Sequence, residues 1–169
     1  EILPYELNIS APSLLGIDRL LTAHTLLASL RGIPAYYLPA VEGEPNDIEA
    51  AEREGHSRAL NRPKRTTAAR RATLIGSRKT ARDELLRRLS LRQRISAFHP
   101  EASQQIMDLE NPLLGILRGN GESSVRIIVN LGFAQSKCDL SEPSFDFLSG
   151  GDIHGEFLVA PGEVLWLST

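Results

Sequence analysis

The hydrophobic period of this chain changes once, near Ser103. Before that point apolar residues recur at helical spacing; after it they alternate. One element cannot satisfy both periods, because side chains repeat about every 3.6 residues on a helix and every second residue on a strand. The change therefore predicts a helical part followed by an antiparallel β part, an α+β fold.

In the first part, residues 17–31 place Ile17, Leu20, Leu21, His24, Leu27 and Ala28 on one helical face. His24 on that face is expected to be a core histidine. Gly32 suits the position after a helix, and at Pro34 no helix can continue. Residues 33–38, IPAYYL, are apolar, β-forming and bounded by prolines, which predicts a buried strand. Helix then buried strand is half of an α/β repeat. A long polar loop follows, with a short helix expected over 47–53. A second long helix is expected over 78–97, with Leu85, Leu86, Leu89, Leu91 and Ile95 on more than one face and His99-Pro100 ending it.

Beyond Ser103, strands are expected at 104–109, 113–118, 124–131, 145–149, 156–160 and 163–167. Gly119-Asn120-Gly121 and Ala160-Pro161-Gly162 are turn signals that suit hairpins. Short strands with tight turns indicate a small antiparallel sandwich or barrel.

Charge is distributed unevenly. The chain of 169 residues has a net charge of −2, yet residues 53–94 carry +11 and the remainder −13. Such a basic block can serve as a phosphate or nucleic-acid surface. No aromatic residue lies between Tyr37 and Phe98 to stack on bases, so no nucleic-acid partner is expected. The segment reads instead as a solvated linker leading into an arginine-rich helix face.

Several chemistries lack their residues. A single cysteine, Cys138, excludes a disulfide framework and a cysteine-based zinc site. It falls in what reads as a polar turn, an inert thiol. The four histidines are scattered, so no metal site and no cofactor is expected. No phosphate-binding glycine loop is present. No apolar run reaches the roughly 20 residues of a membrane helix, and no partner membrane is expected. The first residues show neither initiator methionine nor signal peptide; the expected compartment is the cytoplasm, and the abrupt start suggests a piece of something longer.

Carboxylates and one arginine remain. Glu42, Glu44 and Asp47 follow the expected strand, and Glu6 precedes the first helix. Paired carboxylates suit glycosyl transfer, where one attacks and the other is acid/base; equally, they can be solvating. Arg58, in SRALNR, can act as a bidentate anion clamp or sit in a surface ion pair.

These residues resemble a known family. PYELN at Pro4–Asn8, GIPAYYLP at 32–39, then Gly43, Asn46-Asp47 and SRALNR at 57–62 are similar to the sucrose phosphorylase subfamily of glycoside hydrolase family 13. The stretch LLRRLSLRQRISAFHPEASQQIMDL resembles that family's last barrel helix running into a β domain, and LVAPGEVLWL its closing segment. The resemblance implies the last βα unit of an incomplete (β/α)8 barrel over residues 1–100. A small antiparallel β-sandwich would follow over 101–169.

It also implies a retaining double displacement on an α-glucoside, with phosphate releasing glucose 1-phosphate. The carboxylates of that reaction come from barrel strands four, five and seven, and the resemblance starts this chain after strand seven. No catalytic residue is therefore expected here, and the isolated chain is expected to be inactive. Substrate binding is implied for Tyr5, Glu6 and Arg58. Asn46, Asp47, Asn61 and Arg62 would belong to the acceptor loop. Leu3, where sucrose-specific members often have aspartate, together with Glu6, makes a glucosylglycerate or glucosylglycerol as fitting as sucrose. Ala59 and Leu60 depart from the usual arginine motif, and Ala11-Pro12-Ser13 from an aromatic-containing run. A stand-alone carbohydrate-binding or interaction β module and a nucleic-acid binder through residues 53–94 are the rival readings, and the oligomeric state is left open.

Overall fold

The computed structural model describes residues 8–169. Tyr5, Glu6 and Leu3 lie outside the described residues. The chain forms two compact units, one of residues up to Leu21 with Ala35–Leu85, the other of Thr22–Pro34 with Leu86–Thr169.

Among the described residues, five α-helices occupy the first part: α1 Ala11–Ser29, α2 Leu38–Val41, α3 Ile48–Glu54, α4 Thr67–Thr73 and α5 Gly76–Arg92. Helix α1 starts earlier than the apolar spacing indicated. It kinks at Gly16, whose φ of 71° and ψ of 170° interrupt the helical path. Only a residue without a Cβ takes this conformation at little cost. Helix α3 is capped by Asp47, whose side chain accepts from the Ala50 N–H, so Asp47 stands just before the short helix expected there.

The expected strand at residues 33–38 is not a strand. Tyr37 has extended backbone, but no described segment pairs with this run, and α2 begins at Leu38. Strand identity belongs to a ladder, and apolar β-formers alone cannot supply the partner. Ile33 is 84% exposed and Tyr37 56%, so the run is not buried as expected. Helix α5 ends five residues before the expected 97. Bonds from Arg94 to Leu91 and Ile95 to Arg92 tighten the chain, and Ile95 is extended. Pro100 therefore does not end the helix. Nor is the basic stretch a solvated linker, since it contains α4 and its arginines make specific ion pairs.

In the second unit, β1 Gln104–Met107, β2 Leu113–Arg118, β3 Val125–Asn130, β4 Ser136–Asp146, β5 Gly151–Val159 and β6 Val164–Ser168 join in one antiparallel sheet. The strand order is β1-β2-β3-β6-β4-β5. Where a sandwich was expected, the described strands form one hydrogen-bonded sheet. Leu113, Ile128, Leu165 and Leu167 form a common core with Cys138, Leu140 and Val159 of β4 and β5. On the opposite face Ile127 lies beside Trp166, which is fully buried and rests on Phe98 with ring centroids 4.6 Å apart. That burial removes Trp166 from any sugar-binding face.

Three details differ from expectation. Residues 147–150 are a turn rather than the end of a strand. The buried Asp146 carboxylate accepts from the N–H groups of Leu148, Ser149 and Trp166, which ends β4 there. Cys138 sits within β4, buried, not in a polar turn. Burial raises its thiol pKa, which keeps it protonated and unreactive, as expected of an inert thiol. Residues 160–162 do turn, but β5 and β6 are separated in the sheet by β4, so no hairpin forms there. By contrast, Gly119–Gly121 does join the paired strands β2 and β3.

Candidate functional site

The first unit holds a pocket of about 520 Å³, lined by Asn8, Tyr37, Glu44, Arg58, Asn61 and Arg62 among others. Its construction begins with the loop after α2. Asn46 Oδ1 accepts from the Ser10 N–H at 2.7 Å, and the Asn46 N–H donates to Ser13 Oγ at 2.8 Å. These two bonds tie the first turn of α1 and the residue before it to the loop. Asp47 then caps α3 and donates its own N–H to Leu60 O at 2.7 Å.

A short 3-10 turn, Ser57–Asn61, follows α3 and carries Arg58. The Ala59 methyl is buried, which turns Arg58 outward on the exposed side of the turn. Of the residues implied by resemblance, Arg58, Asn61 and Arg62 come together on the pocket wall. Asn46 and Asp47 do not line it; they hold the loop that does. Among the described residues, neither Arg58 nor Arg62 has a carboxylate partner.

Glu42 and Glu44 are occupied by basic residues. Arg70 donates from Nε to Glu42 Oε2 at 2.8 Å and places Nη2 at 2.7 Å from the same oxygen. Glu44 is buried, with Arg65 Nε at 3.0 Å and Arg78 Nη2 at 3.5 Å. Neither contact is aligned as a hydrogen bond, so Glu44 is held by charge. Arg65 also lies 3.7 Å from Asp47. Arg65, Arg70 and Arg78 of the basic segment thus pair with the acidic loop, while Arg58 and Arg62 pair with no carboxylate among the described residues. These pairings were beyond reading from spacing. Their one signal in the sequence was the adjacency of an acidic run at 42–54 to the basic run that follows it.

Electrostatically, the wall containing Arg58 and Arg62 favours a carboxylate or phosphate, which guanidinium groups bind in a bidentate manner. Among the described residues no group of histidine, cysteine and carboxylate side chains is arranged to hold a metal ion. No described helix is long and apolar enough to cross a membrane.

No protein-family model matches the chain. It is similar to a glucosylglycerate phosphorylase of Allomeiothermus silvanus, 36% identical over 120 residues, covering 69% of this chain and 21% of that protein. It is also similar to a glucosylglycerate phosphorylase of Escherichia coli, 28% identical over 179 residues, covering 97% of this chain and 32% of that protein. The chain therefore spans about a fifth to a third of the length of these relatives. In fold it resembles AmyP solved with maltose, with TM-score 0.75, 13% identity, and coverage of 90% of this chain and 34% of that one. The α-amylase of Geobacillus thermoleovorans solved with acarbose is also similar, with TM-score 0.68, 13% identity, and coverage of 89% and 33%.

Proposed function

The chain belongs to glycoside hydrolase family 13, in the branch of its sucrose phosphorylases, and from that premise we propose that it supplies the acceptor and phosphate side of a retaining α-glucoside phosphorylase. The whole protein would transfer a glucosyl group to phosphate, giving glucose 1-phosphate, with the glucoside of a hydroxy acid such as glycerate as substrate. One observation carries this reading: Arg58 and Arg62 line one pocket without a carboxylate partner among the described residues, while Arg65, Arg70 and Arg78 nearby each have one. The relatives' name fits the same wall, because phosphate and the carboxylate of glycerate are both anions that a guanidinium clamps.

In this reading residues 1–100 are barrel and 101–169 a C-terminal β domain. Arg58 binds phosphate or the leaving acid. Asn61 and Arg62, on the loop braced by Asn46 and Asp47, shape the acceptor side, and Tyr5 and Glu6 complete it. The carboxylates that attack the sugar lie in the rest of the protein, so the 169-residue chain alone turns over neither sucrose nor glucosylglycerate. The arginine pairings with Glu42 and Glu44 support a structural use of the basic segment in place of nucleic-acid binding. The test is calorimetric titration of inorganic phosphate into the chain. Binding that falls at least tenfold in Arg58→Ala supports the reading. Equal affinity in the two proteins overturns it, and so does glucose 1-phosphate formation by the chain alone for the claim of inactivity.

A further inference from the structure

Resting on that anion-site reading, we infer that Glu44 and Arg78 set how strongly the pocket holds an anion: Glu44 puts a negative charge into the wall, and Arg78 is a positioning residue that cancels it. Among the described residues that line the pocket, Glu44 is the one carboxylate, and it is only 2% exposed. A buried charge is screened by salt far less than an exposed one, so it acts on a ligand that never touches it.

The surrounding charges are closely matched. Among the described residues, Glu42, Glu44 and Asp47 meet three guanidinium groups, those of Arg65, Arg70 and Arg78. Arg70 is occupied by Glu42, with Nε and Nη2 both on Oε2. Arg65 is divided between Glu44 at 3.0 Å and Asp47 at 3.7 Å. Arg78 lies 3.5 Å from Glu44 Oε1 and is shared with no second carboxylate among the described residues.

The other bonds of Arg78 go to backbone oxygens. Nε donates to Glu42 O at 2.9 Å and Nη1 to Thr73 O at 3.2 Å. Its stem lies against Gly43, where a Cβ would come within 3.3 Å of Arg78 Cγ. The loop that carries Glu44 thus fixes the guanidinium beside it. Glu44 Oε1 and Oε2 and Arg78 Nη2 are all buried, and none has an aligned hydrogen-bond partner among the described residues. Bracing of the loop falls to the two carbonyl contacts; what the Glu44–Arg78 pair adds is charge.

Without Arg78 the uncompensated carboxylate is Glu44, the one that lines the pocket, and its repulsion of a bound anion opposes Arg58 and Arg62. Without the charge of Glu44 the reverse holds, because Arg65 and Arg78 keep theirs and the wall gains attraction. Coulomb energy is proportional to the charge of the ligand. A dianion therefore responds with the square of the factor seen for a monoanion. A change in pocket shape has no reason to follow that rule.

Sulfate and glycerate are titrated calorimetrically into the 169-residue chain at neutral pH and constant ionic strength. Glu44→Gln is expected to tighten sulfate roughly fivefold and glycerate about twofold. Arg78→Met is expected to weaken sulfate by roughly the same fivefold factor. Combining Arg78→Met with Glu44→Gln should return sulfate close to the wild-type affinity. Combining it instead with Glu49→Gln, which removes a carboxylate from the exposed side of α3, should leave sulfate weak. If circular dichroism shows that Arg78→Met does not fold, Glu44→Gln alone decides. Sulfate affinity unchanged or lowered in Glu44→Gln overturns the inference, and so does an equal gain for the two ligands. An Arg78→Met protein that binds as wild type overturns it too. So does a loss that Glu44→Gln cannot restore, which makes Arg78 a brace only, or one that Glu49→Gln restores equally well. All of these leave the anion-site reading standing as long as binding needs Arg58. Sulfate binding that ignores Arg58→Ala overturns that reading and this inference with it.

Discussion

The indole N–H of Trp166 donates to the hydroxyl of Ser29 at 2.8 Å, with both residues fully buried and 137 positions apart in sequence. The same hydroxyl donates to Thr25 O at 2.8 Å, so one serine satisfies the indole and is itself oriented by its helix. Ser29→Ala leaves the indole donor buried without a partner, which costs about 1–3 kcal/mol. The urea midpoint is expected to fall with the slope unchanged. In Trp166→Phe the donor is gone, so adding Ser29→Ala there should cost much less. Additive losses would deny the pairing.

Among the described residues, the buried cation Arg118 has no carboxylate partner. Its guanidinium donates to Ser103 O at 3.2 Å, Ser29 O at 2.8 Å and His99 O at 2.9 Å, and lies 6.0 Å from the Phe98 ring centroid. Burial, with Arg92 and Arg31 in the neighbourhood, pulls its pKa below the ordinary arginine value. Arg118→Lys keeps the charge, but a single ammonium cannot span carbonyls on three segments. A loss of roughly 2–4 kcal/mol is expected by chemical denaturation, because buried acceptors lose their donors. A variant within about 0.5 kcal/mol of wild type would show the fork to be dispensable.

Gly43 has φ +63°, and a Cβ there would meet Ile17 Cδ1 at 2.8 Å and Arg78 Cγ at 3.3 Å. Gly43→Ala should cost the roughly 1–2 kcal/mol of a left-handed residue and more for the close approach. Gly121, with φ +56° and nothing within 4 Å, isolates the first term. Thermal unfolding of the two variants should therefore rank Gly43→Ala as the less stable. Equal midpoints would remove Ile17 and Arg78 as the reason for glycine.

Burial lowers the pKa of His24 below the usual imidazole value. The unfolded chain then binds the proton more tightly than the folded one. The stability from this residue is complete above the unfolded value and is lost as pH falls through the lower folded value. Urea midpoints taken in neutral and mildly acidic buffer should drop further in wild type than in His24→Gln. The same drop in both would assign the acid sensitivity to other groups.

What the sequence determined by itself was whatever rests on local periodicity and capping. The switch near Ser103, the helix around 17–29, the short helix after Asp47, the positions of β2, β3 and β6 and the Gly119–Gly121 hairpin were all legible, because neighbours in sequence make those contacts. The resemblance carried by Arg58, Asn61 and Arg62 was also legible, since motif residues lie close together on one turn. Tertiary structure decided the rest. Residues 33–38 have every β-forming property but no ladder partner, and a strand exists only with one. Residues 136–144 of β4 were missed because a register irregularity between Leu140 and Ser144 breaks the alternation and the buried Ser144 is polar. Which arginines of the basic run are neutralised, and that Arg58 and Arg62 have no carboxylate partner among the described residues, depends on where the fold places Glu42, Glu44 and Asp47. Ion pairing is settled by distance in space, and charge order along the chain does not specify it.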